Sequence, residues 1–170
     1  AEHEIDVDAV ARLEARVPSL INNLVGRPVH DNMEISYARL NGQYAAAVML
    51  QHKFIGIHDY TDEAIRNKVS IGLAEKVEII VNDNPDPNAL SPVEIDIHMK
   101  NGEKFSRRIE TVYGNPQKPL SSEEHLAKFR RNWEVAKVGL IMDNAEKMIG
   151  AVDNLEKVTD IRELIDLVTG

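Results

Sequence analysis

The chain has no cysteine, so neither a disulfide framework nor a Cys-based zinc or redox site is possible, and a reducing cytoplasmic setting is expected. No stretch approaches the roughly 20 consecutive apolar residues that span a bilayer, and the first residues are acidic where a secretory leader is basic. Basic residues are outnumbered: 20 Lys and Arg face 28 Asp and Glu, a formal charge of −8. A surface short of cations releases few counterions, which argues against general nucleic-acid binding. The basic doublets Arg107-Arg108 and Arg130-Arg131 read as solvated surface.

Several catalytic signatures are also missing. There is no GxSxG elbow, no phosphate loop and no HExxH, and none of the six histidines stands four residues from another. No metal or cofactor is therefore expected. His98 and His125 fall on polar positions, and His52 and His58 flank an irregular stretch with Asp59. That stretch either joins a histidine to a carboxylate or leaves loop histidines in solvent.

What is present reads as one α+β domain spanning residues 1–170, which at 43% hydrophobic carries enough apolar content for an ordinary core. Pro18 forbids one continuous helix over residues 6–22, because its ring removes an amide and clashes with the carbonyl four residues back. A helical turn over Asp6–Ala11 followed by a strand, Arg12–Val17, is expected instead. A helix from Ile35 to Gln51 would place Tyr37, Leu40, Tyr44, Ala47 and Val48 on one face, and an apolar patch around Tyr37, Leu40, Tyr44 and Val48 is expected to stay exposed for docking. Thr61 with Asp62 and Glu63 opens a second helix reaching Gly72.

Lys76–Asn82 and Val93–Met99 read as strands. In the second, Val93, Ile95, Ile97 and Met99 alternate with Glu94, Asp96 and His98, giving one buried and one wet face. A two-residue turn at Asn101-Gly102 would point Phe105 away from the core. A three-residue loop, Lys100-Asn101-Gly102, pairs Ile97 with Phe105 and Val93 with Ile109, so the second arm runs over Glu103–Val112. Ser121 and Glu124 form a capping box for a helix over Ser122–Lys137. Asp143 with Glu146 and Asp160 with Glu163 start two more, with Gly150 and Gly170 near their ends. The order is β-α-α-β-β-β-α-α-α, helices on a small antiparallel or mixed sheet.

Among groups that could act on a substrate, Tyr44 can donate a proton or anchor a carboxylate, and Arg39 suits bidentate carboxylate binding. Core packing with a satisfied hydroxyl is the plain alternative for Tyr44.

The run Gly114-Asn115-Pro116-Gln117-Lys118-Pro119-Leu120-Ser121-Ser122-Glu123-Glu124-His125-Leu126-Ala127-Lys128-Phe129 resembles a signature near the end of the MmgE/PrpD family. That family includes 2-methylcitrate dehydratase, cis-aconitate decarboxylase and iminodisuccinate epimerase. Arg27-Pro28 and the segment Ala38–Ala47 resemble its A-x-x-S-x-x-Y-x-x-A helix, with Asn41 or Gly42 where the family often has Ser. Weaker likenesses run from Lys76–Asn82 through Asn101-Gly102 to Leu155–Leu164, so that they cover nearly the whole chain.

The resemblance implies a C-terminal α+β lid domain, or small subunit, of a lyase or epimerase acting on small di- or tricarboxylic acids, 2-methylcitrate dehydratase-like. It implies metal-free proton abstraction beside a carboxylate, with Tyr44 facing the substrate cleft. A helical N-terminal domain, expected to be absent from this chain, would be its partner and supply most of the acid/base groups. The chain alone is then expected to be inactive, with a homodimer possible. A stand-alone, non-catalytic binding module of the same fold is the alternative.

Overall fold

The alternation in Val93–Met99 settles the sheet's register. In the computed structural model, which describes residues 4–136 and 139–169, β3 (Val93–Met99) and β4 (Lys104–Ile109) form an antiparallel hairpin. It pairs Ile97 with Phe105 and Val93 with Ile109, as the three-residue loop requires. Gly102 closes that loop at φ +90°, a conformation that side chains resist.

β1 (Val10–Val17) lies antiparallel to β3 and parallel to β2 (Val77–Val81), so the mixed sheet has the order β2-β1-β3-β4. A parallel neighbour needs a crossover, and the helices between β1 and β2 form it: α1 (Ser19–Val25), α2 (Ile35–Ala38), α3 (Gly42–His52) and α4 (Lys68–Ala74). The α+β class holds, with a mixed sheet.

Helix detail departs from the sequence reading where polar side chains compete for the backbone. The expected Ile35–Gln51 helix is two helices, because Asn41 turns extended and its Oδ1 accepts the Tyr44 amide at 2.8 Å, capping α3. Its Nδ2 donates to the Arg27 carbonyl at 2.9 Å. The break rotates Leu40 out to 47% exposure, whereas Tyr44 and Val48 are 1% exposed in a core with Met33, Ala38, Ile65 and Ile71. The expected exposed patch is therefore mostly interior. Thr61 does cap, accepting the Ala64 amide at 3.2 Å, but only a 3-10 turn, Ala64–Arg66, follows. Asn67 then caps α4 afresh. Pro18 ends β1 and leads directly into α1; Pro is well suited to the start of a helix.

Contacts divide the chain into two compact units, Ala1–Lys118 and Pro119–Gly170. The second holds α5 (Ser122–Glu134), α6 (Met142–Val152) and α7 (Arg162–Thr169). The Ser121–Glu124 capping box forms in both directions. Lys137, the expected end of that helix, and Gly170 lie outside the described residues. Asp143 sits inside the first turn of α6, not at its cap, and Glu146 instead holds Arg130 of α5 through two bonds of 2.6 and 2.8 Å. Gly150 lies within α6, which runs on to Val152. Asp160 does accept the Arg162 amide, at 3.0 Å, and so opens α7. Among the described residues no helix is long and apolar enough to cross a membrane.

Candidate functional site

The C-terminal end of α3 gathers the polar groups most suited to chemistry. Lys53 adopts a left-handed conformation, φ +65°, and turns the chain out of the helix. After Phe54 and Ile55 the chain returns as a 3-10 turn, Ile57–Tyr60, whose Asp59 points back at the helix. Asp59 Oδ2 accepts the Gly56 amide at 2.7 Å, which fixes the carboxylate. Its Oδ1 lies 2.7 Å from His52 Nδ1. Asp59 is 6% exposed, while the His52 side chain remains 51% exposed. The sequence reading left open whether this stretch joins a histidine to a carboxylate; the fold joins them, because left-handed Lys53 reverses the chain.

Tyr44 stands one layer deeper on the same helix. Its hydroxyl donates to the Asp59 carbonyl at 2.7 Å, and its ring lies 5.9 Å from that of Tyr60. Burial first, then the Asp59 charge, push the Tyr44 phenol up to about 12. It is a neutral donor at ordinary pH. Burial also raises Tyr60, with Asp59 adding and Arg39 opposing. Arg39 is thus within electrostatic reach of Tyr60. It is exposed, lies between α2 and α3, and has no hydrogen bond or ion pair with Tyr44. The two sequence candidates do not touch each other. What they share is Tyr60.

A second polar cluster lies on the other, nominally wet face of the sheet. Glu14 and Asp96, paired across β1 and β3, are 7% and 8% exposed. Their oxygens are occupied: Arg16 bridges both, Arg12 reaches Glu14 at 2.5 Å, Lys104 reaches Asp96 at 3.0 Å and Ser106 donates to it at 2.6 Å. The Ser106 hydrogen bond, then Arg16 and Lys104, hold the Asp96 carboxyl well below the usual carboxylate range. His98 Nε2, buried without a hydrogen-bond partner, is 4.0 Å from Glu14. Glu14, Asp96 and His98 could offer three ligand atoms within 4.8 Å of one another. Three cations already neutralise the two carboxylates, so the arrangement is an ion-pair lattice and suits a metal poorly. The alternation Arg12-Glu14-Arg16 carries part of this signal in the sequence, and Asp96 joins it only through the pairing of β1 with β3.

Comparison with known proteins adds an independent line. Residues 1–156 match the model of the MmgE/PrpD C-terminal domain. A cis-aconitate decarboxylase of Mus musculus is 32% identical over 164 residues, covering 96% of this chain and 32% of that protein. A cis-aconitate decarboxylase of Homo sapiens is 32% identical over 167 residues, 98% of this chain and 33% of its own length. The chain spans about a third of the length of these relatives.

Proposed function

The chain belongs to the MmgE/PrpD family, and from that premise we propose that residues 1–170 act as the C-terminal α+β domain, or as a separate small subunit, of a lyase acting on small di- or tricarboxylic acids. The reaction proposed is metal-free abstraction of a proton beside a carboxylate, followed by loss of a leaving group. Relatives named for cis-aconitate favour decarboxylation of such an acid, with dehydration of 2-methylcitrate as the other reaction to test.

The observation that carries the reading is the chain of contacts Tyr44–Asp59–His52 at the end of α3. Proton abstraction needs a base, a proton donor and groups that hold carboxylates. A carboxylate on Nδ1 keeps the proton there and leaves Nε2 of His52 as an acceptor on a half-exposed ring. Tyr44 is proposed as the cleft tyrosine of the family's helix motif, acting as donor since its phenol stays protonated. Arg39, which makes no ion pair among the described residues, is the proposed carboxylate holder. In the chain by itself the Tyr44 proton is committed to the Asp59 carbonyl. That supports inactivity without a helical partner domain, whether supplied in the same polypeptide or as another subunit.

Burial of Tyr44 favours one second reading, a non-catalytic binding module. Proton exchange and turnover by NMR in deuterated buffer, with cis-aconitate and 2-methylcitrate, separate the two. The lyase reading expects activity only when a family helical domain is added, and silence in both arms favours the module.

A further inference from the structure

Tyr60 closes the 3-10 turn that carries Asp59 and is half-buried against the core around Tyr44. Its ring meets that of Tyr44 at 5.9 Å between centroids and 58° between planes. The two phenols differ in what their protons do. A phenol has one proton to donate, and that of Tyr44, a residue 1% exposed, is committed to the Asp59 carbonyl. Among the described residues the one buried side-chain polar atom without a hydrogen-bond partner is His98 Nε2. The Tyr60 hydroxyl, which makes no hydrogen bond there, therefore reaches solvent. Its backbone is nevertheless fixed, because the carbonyl that Tyr44 holds belongs to the peptide joining Asp59 to Tyr60.

We propose that Tyr60 is a second donor of the Tyr44–Asp59–His52 site, its free hydroxyl contacting the substrate oxygen on which negative charge collects. The inference rests on the lyase reading above. In that reaction a base takes the C–H proton, and the electron pair of the broken bond moves onto the adjacent carboxylate. The Tyr60 phenol keeps its own proton and donates a hydrogen bond to that oxygen, a contact that strengthens as the charge develops. Burial and then the Asp59 charge raise the phenol, with Arg39 opposing, so it is a neutral donor at ordinary pH. Arg39, the proposed anion holder, is close enough for its charge to act on this phenol. An anion seated on Arg39 thus lies beside an uncommitted O–H, whereas Tyr44 must first release the Asp59 carbonyl.

The test joins urea unfolding of the 170-residue chain to turnover of the chain assembled with a family helical domain, on cis-aconitate and 2-methylcitrate. Tyr60→Phe is expected to keep the parent's urea midpoint, since its hydroxyl has no partner to lose. It is expected to lower kcat by about 10²-fold with KM changed no more than about twofold. A lowered midpoint would mean that the hydroxyl is engaged inside the fold. An unchanged kcat, with or without a raised KM, would mean that it meets no developing charge; each of these results overturns the proposal. His52→Ala tells the two readings apart. Loss of kcat in His52→Ala but not in Tyr60→Phe overturns the role of Tyr60 alone. No loss in either variant, or no turnover by the parent assembly, overturns the site reading and the role of Tyr60 with it.

Discussion

The Tyr44 hydroxyl donates a 2.7 Å hydrogen bond to the backbone carbonyl of Asp59, fifteen residues further along the chain. This bond ties the core face of α3 to the turn that presents Asp59 to His52. One buried phenol therefore sets the position of an otherwise exposed histidine through a carboxylate whose other oxygen is already fixed by the Gly56 amide. A carboxylate fixed in this way orients the imidazole through Nδ1.

Replacing Tyr44 by Phe keeps the ring and removes only the donor. The Asp59 carbonyl then loses its buried partner, at a cost of about 1–3 kcal/mol. Urea unfolding should show that loss in the 170-residue chain. In a complete enzyme Tyr44→Phe should also lower turnover. Full turnover in a destabilised variant would reduce Tyr44 to packing.

Asp96 supplies a pH dependence whose sign is fixed. Ser106, Arg16 and Lys104 stabilise its charged form, so its folded pKa lies below the unfolded value near 3.8. Its contribution to stability is complete above that value and fades as pH falls beneath it. Urea midpoints measured from pH 7 to 2 should hold level and then drop on the acid side. Asp96→Asn should lower the midpoint at neutral pH and flatten the acid limb. An acid limb as steep as the parent's would assign that pH dependence to other carboxylates.

The β3–β4 register was readable because apolar alternation and the burial of Phe105 admit only one loop length. The capping box at Ser121 and Glu124 was readable because both partners lie within one turn. The break between α2 and α3 was not, since apolar spacing continues across Arg39–Asn41 and the deciding contact, Asn41 with the Arg27 carbonyl, joins residues fourteen apart. For the same reason Tyr44 could be picked from its helix while its partner Asp59 could not. The buried Glu14–Asp96 pair depends on β1 meeting β3, a pairing eighty residues long in sequence terms for Arg16 and Asp96.

Gly102 offers a direct check of the hairpin. A Cβ added there meets nothing within 4 Å, so the whole penalty of Gly102→Ala is conformational, about 1–2 kcal/mol for a side chain forced to positive φ. Thermal unfolding should register that loss, and exchange of the β3–β4 amides should quicken. An unchanged midpoint would mean that the loop can shift to a turn without positive φ.

The His52–Asp59 pair separates chemistry from scaffolding. Asp59→Asn can keep its oxygen on the Gly56 amide while turning an amide N–H toward His52 Nδ1, which moves the imidazole proton to Nε2 and removes the acceptor there. If His52 is the base or acid that this chain contributes, His52→Ala and Asp59→Asn should each lower kcat of the assembled enzyme by about 10²–10⁴, with little further loss in the double variant. A purely structural pair gives a different pattern: both variants lower the urea midpoint, yet kcat stays as in the parent. That outcome would move the proton transfer wholly to the helical domain and leave this turn as a support for Tyr44.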